Sequence, residues 1–106
     1  MNKHVAFFGD GDRIFALTPN LIIELERKVG VGIGTLCKRV FAGQFAHTDL
    51  VETIRLALIG GGTSPAEAET LVATYARPRP IAETFPVAVA ILETVWFGTR
   101  TELDPV

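Results

Sequence analysis

Three consecutive glycines, Gly60-Gly61-Gly62, separate two amphipathic stretches, and the run they divide, Leu50 to Tyr75, constrains the fold of this chain more than any other segment. Leu50, Ile54, Ala57 and Leu58 recur at i, i+4, i+7 and i+8, the spacing that lines one face of a helix. Glycine ends that helix because it takes positive φ without a Cβ clash, so at least one of the three is expected to be the left-handed closing residue. Ser64 then supplies an N-cap oxygen, Pro65 suits the first helical position, and Glu67 completes a Ser-x-x-Glu capping box. Ala68, Leu71, Val72 and Tyr75 continue at i, i+3, i+4 and i+7. Two helices joined by so short a turn fold back on each other as a hairpin.

The remaining elements follow from similar signals. Lys3 to Phe8 and Ile14 to Leu17 flank glycine and aspartate at positions 9–12, the chemistry of a β-hairpin turn that pairs Lys3 to Phe8 with Asp12 to Leu17. A lone hairpin is marginal in water, so this one must lie on helices or pair with another chain. Thr18-Pro19 starts a first helix, Pro19 to Val29, with Leu21, Ile22, Leu25 and Val29 on its apolar side and Gly30 at its end. A short second helix holds Leu36, Val40 and Phe41 and stops near Gly43. Thr48 or Asp49 caps the third, and the fourth runs from Pro65 to about Ala76. The Arg77-Pro78-Arg79-Pro80 link is stiff because proline disfavours helix in the residue before it. A last helix runs from about Pro80 to Phe97, kinked or divided at Pro86. Its polar residues Glu83, Thr84, Glu93 and Thr94 are expected on one stripe, the rest of its surface being apolar. The fold class is therefore α+β, mainly α, with an N-terminal hairpin (about 3–17) and about five helices (about 19–98). The whole chain, 1–106, is expected to form one compact domain with a frayed tail at 99–106.

Composition narrows the function. The 106 residues are 48% hydrophobic and 21% charged, enough to build a core without staples. One cysteine, Cys37, cannot form an intramolecular disulfide, and no signal-peptide pattern opens the sequence, so a reducing, cytosolic setting is expected. A net charge of −2 with interspersed signs gives no electrostatic footprint for nucleic acid or anionic membrane. The apolar run Phe85 to Leu92 is far shorter than the roughly 20 residues of a membrane span.

No constellation here supplies catalysis. The Gly30 to Thr35 segment is glycine-rich but follows a helix and lacks the Gly-Lys-Ser/Thr ending of a phosphate loop, so it reads as an interhelical connection. His4 and His47 lack second ligands at metal spacing, and His47 falls just before a helix cap. Cys37 sits in an apolar helix segment, where a thiol is inert. Asp10 and Asp12 read as turn residues. Arg27, Lys28, Lys38 and Arg39 read as a solvated face, with Glu24 and Lys28 an i, i+4 pair. With no nucleophile, base and oxyanion site together, no catalytic, cofactor or metal residue is assigned, and an enzyme is not expected.

The aromatic residues are the more informative set. Strand alternation sends Phe7 and Phe8 to opposite faces, while Trp96 and Phe97 end the last helix. One reading folds the hairpin onto that helix and buries most of the rings; the other leaves some as interface anchors. The candidate protein interface is Phe8, Phe15, Val89, Leu92, Trp96 and Phe97.

Three stretches, ELERKVGVGIGTLCKRVFAGQF, DLVETIRLALIGGGTSPAEAETLVATYA and RPIAETFPVAVAILETVWFG, carry a family likeness across roughly Phe7 to Gly98. Together they resemble the small gene-transfer-agent tail family of phage tail gene clusters, similar to phage tail assembly chaperones and also labelled tail-tube proteins. The resemblance implies a helical chaperone that binds the tape-measure protein, with tail-tube subunits as further partners. It acts in the cytoplasm of the bacterial host, without cofactor, nucleic acid or membrane. A homo-oligomer and a structural role in the tail tube or its adaptor remain alternatives. Tube subunits are built on substantial β-sheet, which one hairpin cannot supply, so a helix-rich chain favours the chaperone.

Overall fold

The chain turns first at Gly9-Asp10, and everything after that turn is arranged around one buried helix. The computed structural model describes residues 3–98; the expected frayed tail, 99–106, lies outside the described residues. Strands β1 (Lys3–Phe8) and β2 (Gly11–Ala16) precede helices α1 (Pro19–Val29), α2 (Ile33–Phe41), α3 (His47–Gly60), α4 (Pro65–Tyr75) and α5 (Ile81–Phe97). The fold is the expected hairpin and five helices, gathered into one globule with a Cα radius of gyration of 12.9 Å, the size of a compact chain of this length.

The hairpin is antiparallel, with Phe8 opposite Gly11, Ala6 opposite Arg13 and His4 opposite Phe15. Gly9 at φ +72° opens the two-residue loop, the position where a type II′ turn requires glycine. Leu17, expected in β2, is buried just beyond its end. Phe15 is fully buried and meets Phe8 edge to face at 6.0 Å, and Phe8 meets Tyr75 of α4 at 6.2 Å. The close fit leaves no room for a Cβ on Gly9, which would come within 2.8 Å of the Tyr75 ring at Cε2.

Helix α3 is the axis of the molecule. Nine of its 14 residues, Leu50, Ile54, Ala57 and Leu58 among them, are buried under β2, α1, α2, α4 and α5. Its start differs from the expected Thr48 or Asp49 cap. The N-cap is Ala46 and His47 is the first helical residue. Alanine has no side-chain acceptor, so capping falls to Asp49, whose Oδ2 accepts from the Ala46 N–H at 2.8 Å. Asp49, 1% exposed, also receives a two-pronged bond from Arg39 of α2 at 2.7 and 2.6 Å. Arg39 therefore departs from the expected solvated face. It fastens α2 to the start of α3, and removing it, which leaves the buried Asp49 carboxylate without its cation, costs about 3–5 kcal/mol.

The other end of α3 revises the role of the glycine run. Gly62, at φ +111°, closes the helix: its N–H bonds the Ile59 carbonyl and the Thr63 N–H bonds that of Leu58, the Schellman arrangement. Gly60 and Gly61 do something else. A Cβ on Gly60 would fall inside the Ala16 carbonyl oxygen and one on Gly61 inside that of Ile14. The two bare α-carbons let the helix end press directly against the backbone of β2. Ser64 then caps α4 by accepting from the Glu67 N–H at 3.2 Å, as expected.

Helix α5 runs unbroken through Pro86. Of its expected polar stripe, Glu83 and Glu93 are exposed but Thr84 is buried, its hydroxyl donating back to the Ile81 carbonyl at 3.4 Å. At 100° per residue the four positions span about half the helix circumference rather than one narrow line, so one of them must face inward. Glu24 of α1 pairs with Arg27 at 2.7 Å rather than with Lys28.

Substituting Gly60 or Gly61 by alanine is expected to cost about 2–3 kcal/mol each through overpacking against β2. Gly34→Ala, in α2 with nothing within 4 Å of its absent Cβ, is expected to be neutral or stabilising by about 0.5 kcal/mol. Urea-unfolding midpoints of the three variants check the contrast.

Candidate protein-binding surface

Most of the exposed large apolar side chains among the described residues gather in two places, with Ile23 of α1 and Ile81 at the start of α5 standing apart. The first is the far end of α5. Thr84, Ala88, Ile91 and Leu92 bury one side of this helix, so the residues that follow them in angle emerge where α5 passes the end of α2. Trp96 is 50% exposed and Phe97 74%. Trp96 stands edge-on to Phe41, the last residue of α2, at 6.5 Å, which fixes the indole while leaving half of it accessible. Phe45 and Phe85, stacked at 5.2 Å, anchor the other half of α5 to the connection before α3. The aromatic end is thus presented by a helix held at two points.

The second place is the outer face of the hairpin. Lys3, Val5 and Phe7 point away from the helices, as do Asp12 and Ile14 across from them. Val5 is 63% and Phe7 67% exposed. A groove between hairpin and α5 is lined by Phe7, Tyr75, Arg79, Glu83 and Val87, and is crossed by the Arg79–Glu83 pair at 2.9 Å. The Glu83 carboxylate holds the Arg79 guanidinium even more firmly protonated than usual.

Of the six candidate residues, Phe8, Phe15 and Leu92 lie in the core and Val89 is partly buried against it; only Trp96 and Phe97 are openly accessible. The hairpin rests mainly on α3, with β1 beside α5, so the rings divide between core and surface rather than following either extreme. Val5, Phe7, Ile14 and Phe41, outside that set of six, are also exposed. Lys3 was the available signal, since a charge at the start of β1 marks positions 3, 5 and 7 as the outward set.

The remaining polar constellations are structural. Burial raises the Cys37 thiol pKa, which keeps it protonated, as expected of an inert cysteine. At the glycine-rich connection the Glu26 carboxylate accepts from the Ile33 N–H at 2.8 Å, so the start of α2 already holds its anion. Arg13 ties the turn to α4 through Asp10 at 2.8 Å and Glu67 at 3.3 Å, and Arg77 pairs with Glu69. No cluster of three or more metal-ligating side chains occurs among the described residues, and no helix there is long and apolar enough to cross a membrane.

A hairpin-plus-five-helix globule with aromatic surface and structural charges is matched along nearly its whole length, residues 2–98, by one family model. The chain belongs to the phage tail tube protein, GTA-gp10, family. The model bears the label of tail assembly chaperones, and the family is structural rather than enzymatic. Neither a curated protein nor a solved structure gives a match. Membership in the GTA-gp10 family implies tail components as partners.

Trp96→Ala and Phe97→Ala are expected to change unfolding free energy by no more than about 1 kcal/mol, whereas Leu92→Ala one turn earlier costs about 2–5 kcal/mol. Thermal or urea unfolding separates the two classes.

Proposed function

We propose that this GTA-gp10 family protein is a tail assembly chaperone that binds the tape-measure protein in the bacterial cytoplasm during tail morphogenesis. The observation that carries the reading is the aromatic end of α5, where Trp96 and Phe97 stand open beside Phe41 on a braced helix. Large, rigid rings of this kind dominate binding energy at protein interfaces because they bury much area for little entropy lost. The tape measure is a long helical protein prone to aggregate until tube subunits enclose it. A chaperone needs only to cover its apolar faces reversibly, and that requires neither nucleotide nor metal. Tube subunits then displace the chaperone, which leaves the finished particle.

A structural subunit of the tail tube or its adaptor is the second reading. The family description supports it, and so does the apolar outer face of the hairpin, which could extend a sheet between subunits. The small share of strand argues the other way: two strands in the described chain make a poor wall for a tube.

Co-expression with the tape-measure protein of the same gene cluster tests the proposal. The expected result is a soluble complex by size exclusion with light scattering, with an otherwise insoluble tape measure rescued and the rescue weakened in Trp96→Ala/Phe97→Ala. Absence of any complex, with rings or tubes formed by this chain alone, transfers the assignment to the structural subunit.

A further inference from the structure

Every arginine among the described residues is held by a carboxylate of the same chain. Glu93 is the opposite case. It is exposed on α5 and has no ion-pair or hydrogen-bond partner among the described residues. Trp96 and Phe97 follow it at i+3 and i+4, so the carboxylate and the two open rings share one helix face. That face continues back along α5 through Ala90, Pro86 and Ala82, whose side chains are short enough for another helix to lie close. At 1.5 Å and 100° per residue the six positions form a stripe about 22 Å long and about 120° wide.

A partner that covers Trp96 and Phe97 also covers Glu93. An unpaired carboxylate taken out of water is costly, so the partner must bring a group that compensates it. A cation does so twice over, because the carboxylate and the face of the indole both attract positive charge. A second copy of this stripe has none to offer. Helix α5 contains no lysine or arginine, and packing it antiparallel on itself with the rings over Ala82 sets Glu93 opposite Pro86.

We propose that the stripe receives an amphipathic helix with one lysine or arginine set into its apolar face, the basic side chain pairing with Glu93 beside the Trp96 indole. The inference rests on the aromatic end of α5 being the site that binds the tape-measure protein, and it names the kind of segment bound there. The rings supply contact area to any apolar helix. Glu93 selects among such helices, favouring those with a cation at the matching turn and rejecting those with a carboxylate there.

Overlapping synthetic peptides of about 20 residues, long enough as helices to span the stripe, are drawn from the tape-measure protein of the same gene cluster and titrated with the full chain by fluorescence anisotropy. The expected binders carry a basic residue within an apolar i, i+3, i+7 pattern. Glu93→Lys is expected to weaken them at least tenfold, and exchanging that basic residue of the peptide for glutamate to restore binding to within about threefold of the parent pair. Glu93 is exposed and unpaired, so the variant keeps the circular dichroism of the parent; should it lose its fold, Glu93→Gln is expected to weaken the same peptides about fivefold. Unchanged binding by a folded Glu93 variant, or binders that lack a basic residue, overturns this inference and leaves the chaperone reading in place. Binding of no peptide overturns it as well, and together with the absence of a complex on co-expression it removes the chaperone reading too. Self-association of the free chain that Trp96→Ala/Phe97→Ala abolishes also overturns it, by giving the stripe to a second copy.

Discussion

The fold hangs on a backbone-to-backbone contact: the C-terminal end of α3, bare at Gly60 and Gly61, lies against the carbonyls of Ile14 and Ala16 in β2. A two-stranded hairpin has too little cross-strand burial to persist alone. Docking it on the central helix gives Phe15 and Phe8 a core to enter and closes one of its two edges. Close backbone packing replaces side-chain interdigitation at that junction. Gly62, the next residue, closes α3, so the position of α4, the Tyr75 ring under Gly9 and the Arg13–Glu67 tie follow from the same glycine run.

At the opposite end of α3, the buried Arg39–Asp49 pair fixes how α2 approaches. Because α2 ends at Phe41 and α5 passes beside it, this pair sets the platform on which Trp96 is held edge-on. The surface proposed for the partner is therefore built by the core. One ion pair orients α2, α2 places Phe41, and Phe41 positions the indole.

Helix periods, caps and the proline link were legible in the sequence because each is a local signal. Pro19 after Thr18, Ser64-Pro65-Glu67 and Gly30 all mark element ends that the structure places within a residue or two. The site was legible only in part. Phe8, Phe15, Leu92, Trp96 and Phe97 are similar in chemistry, and which of them stays outside depends on which neighbour lies against each face. Local periodicity does not carry that information. The same holds for Gly60 and Gly61: their local reading is helix termination, while their close approach to β2 is a contact between residues more than forty positions apart. Arg39 looked like one base among several until the fold brought Asp49 to it. Phe7 and Val5 were nearer to legible, since the charge of Lys3 fixes the phase of β1.

Quantitative mass spectrometry of purified particles tests the chaperone assignment most directly. A chaperone displaced by tube subunits predicts that peptides of this chain are abundant in the producing cells and fall to trace level in finished particles, relative to the tube subunit. Retention in finished particles at a fixed, near-stoichiometric ratio to the tube would contradict that account and make the chain a structural part of the tail.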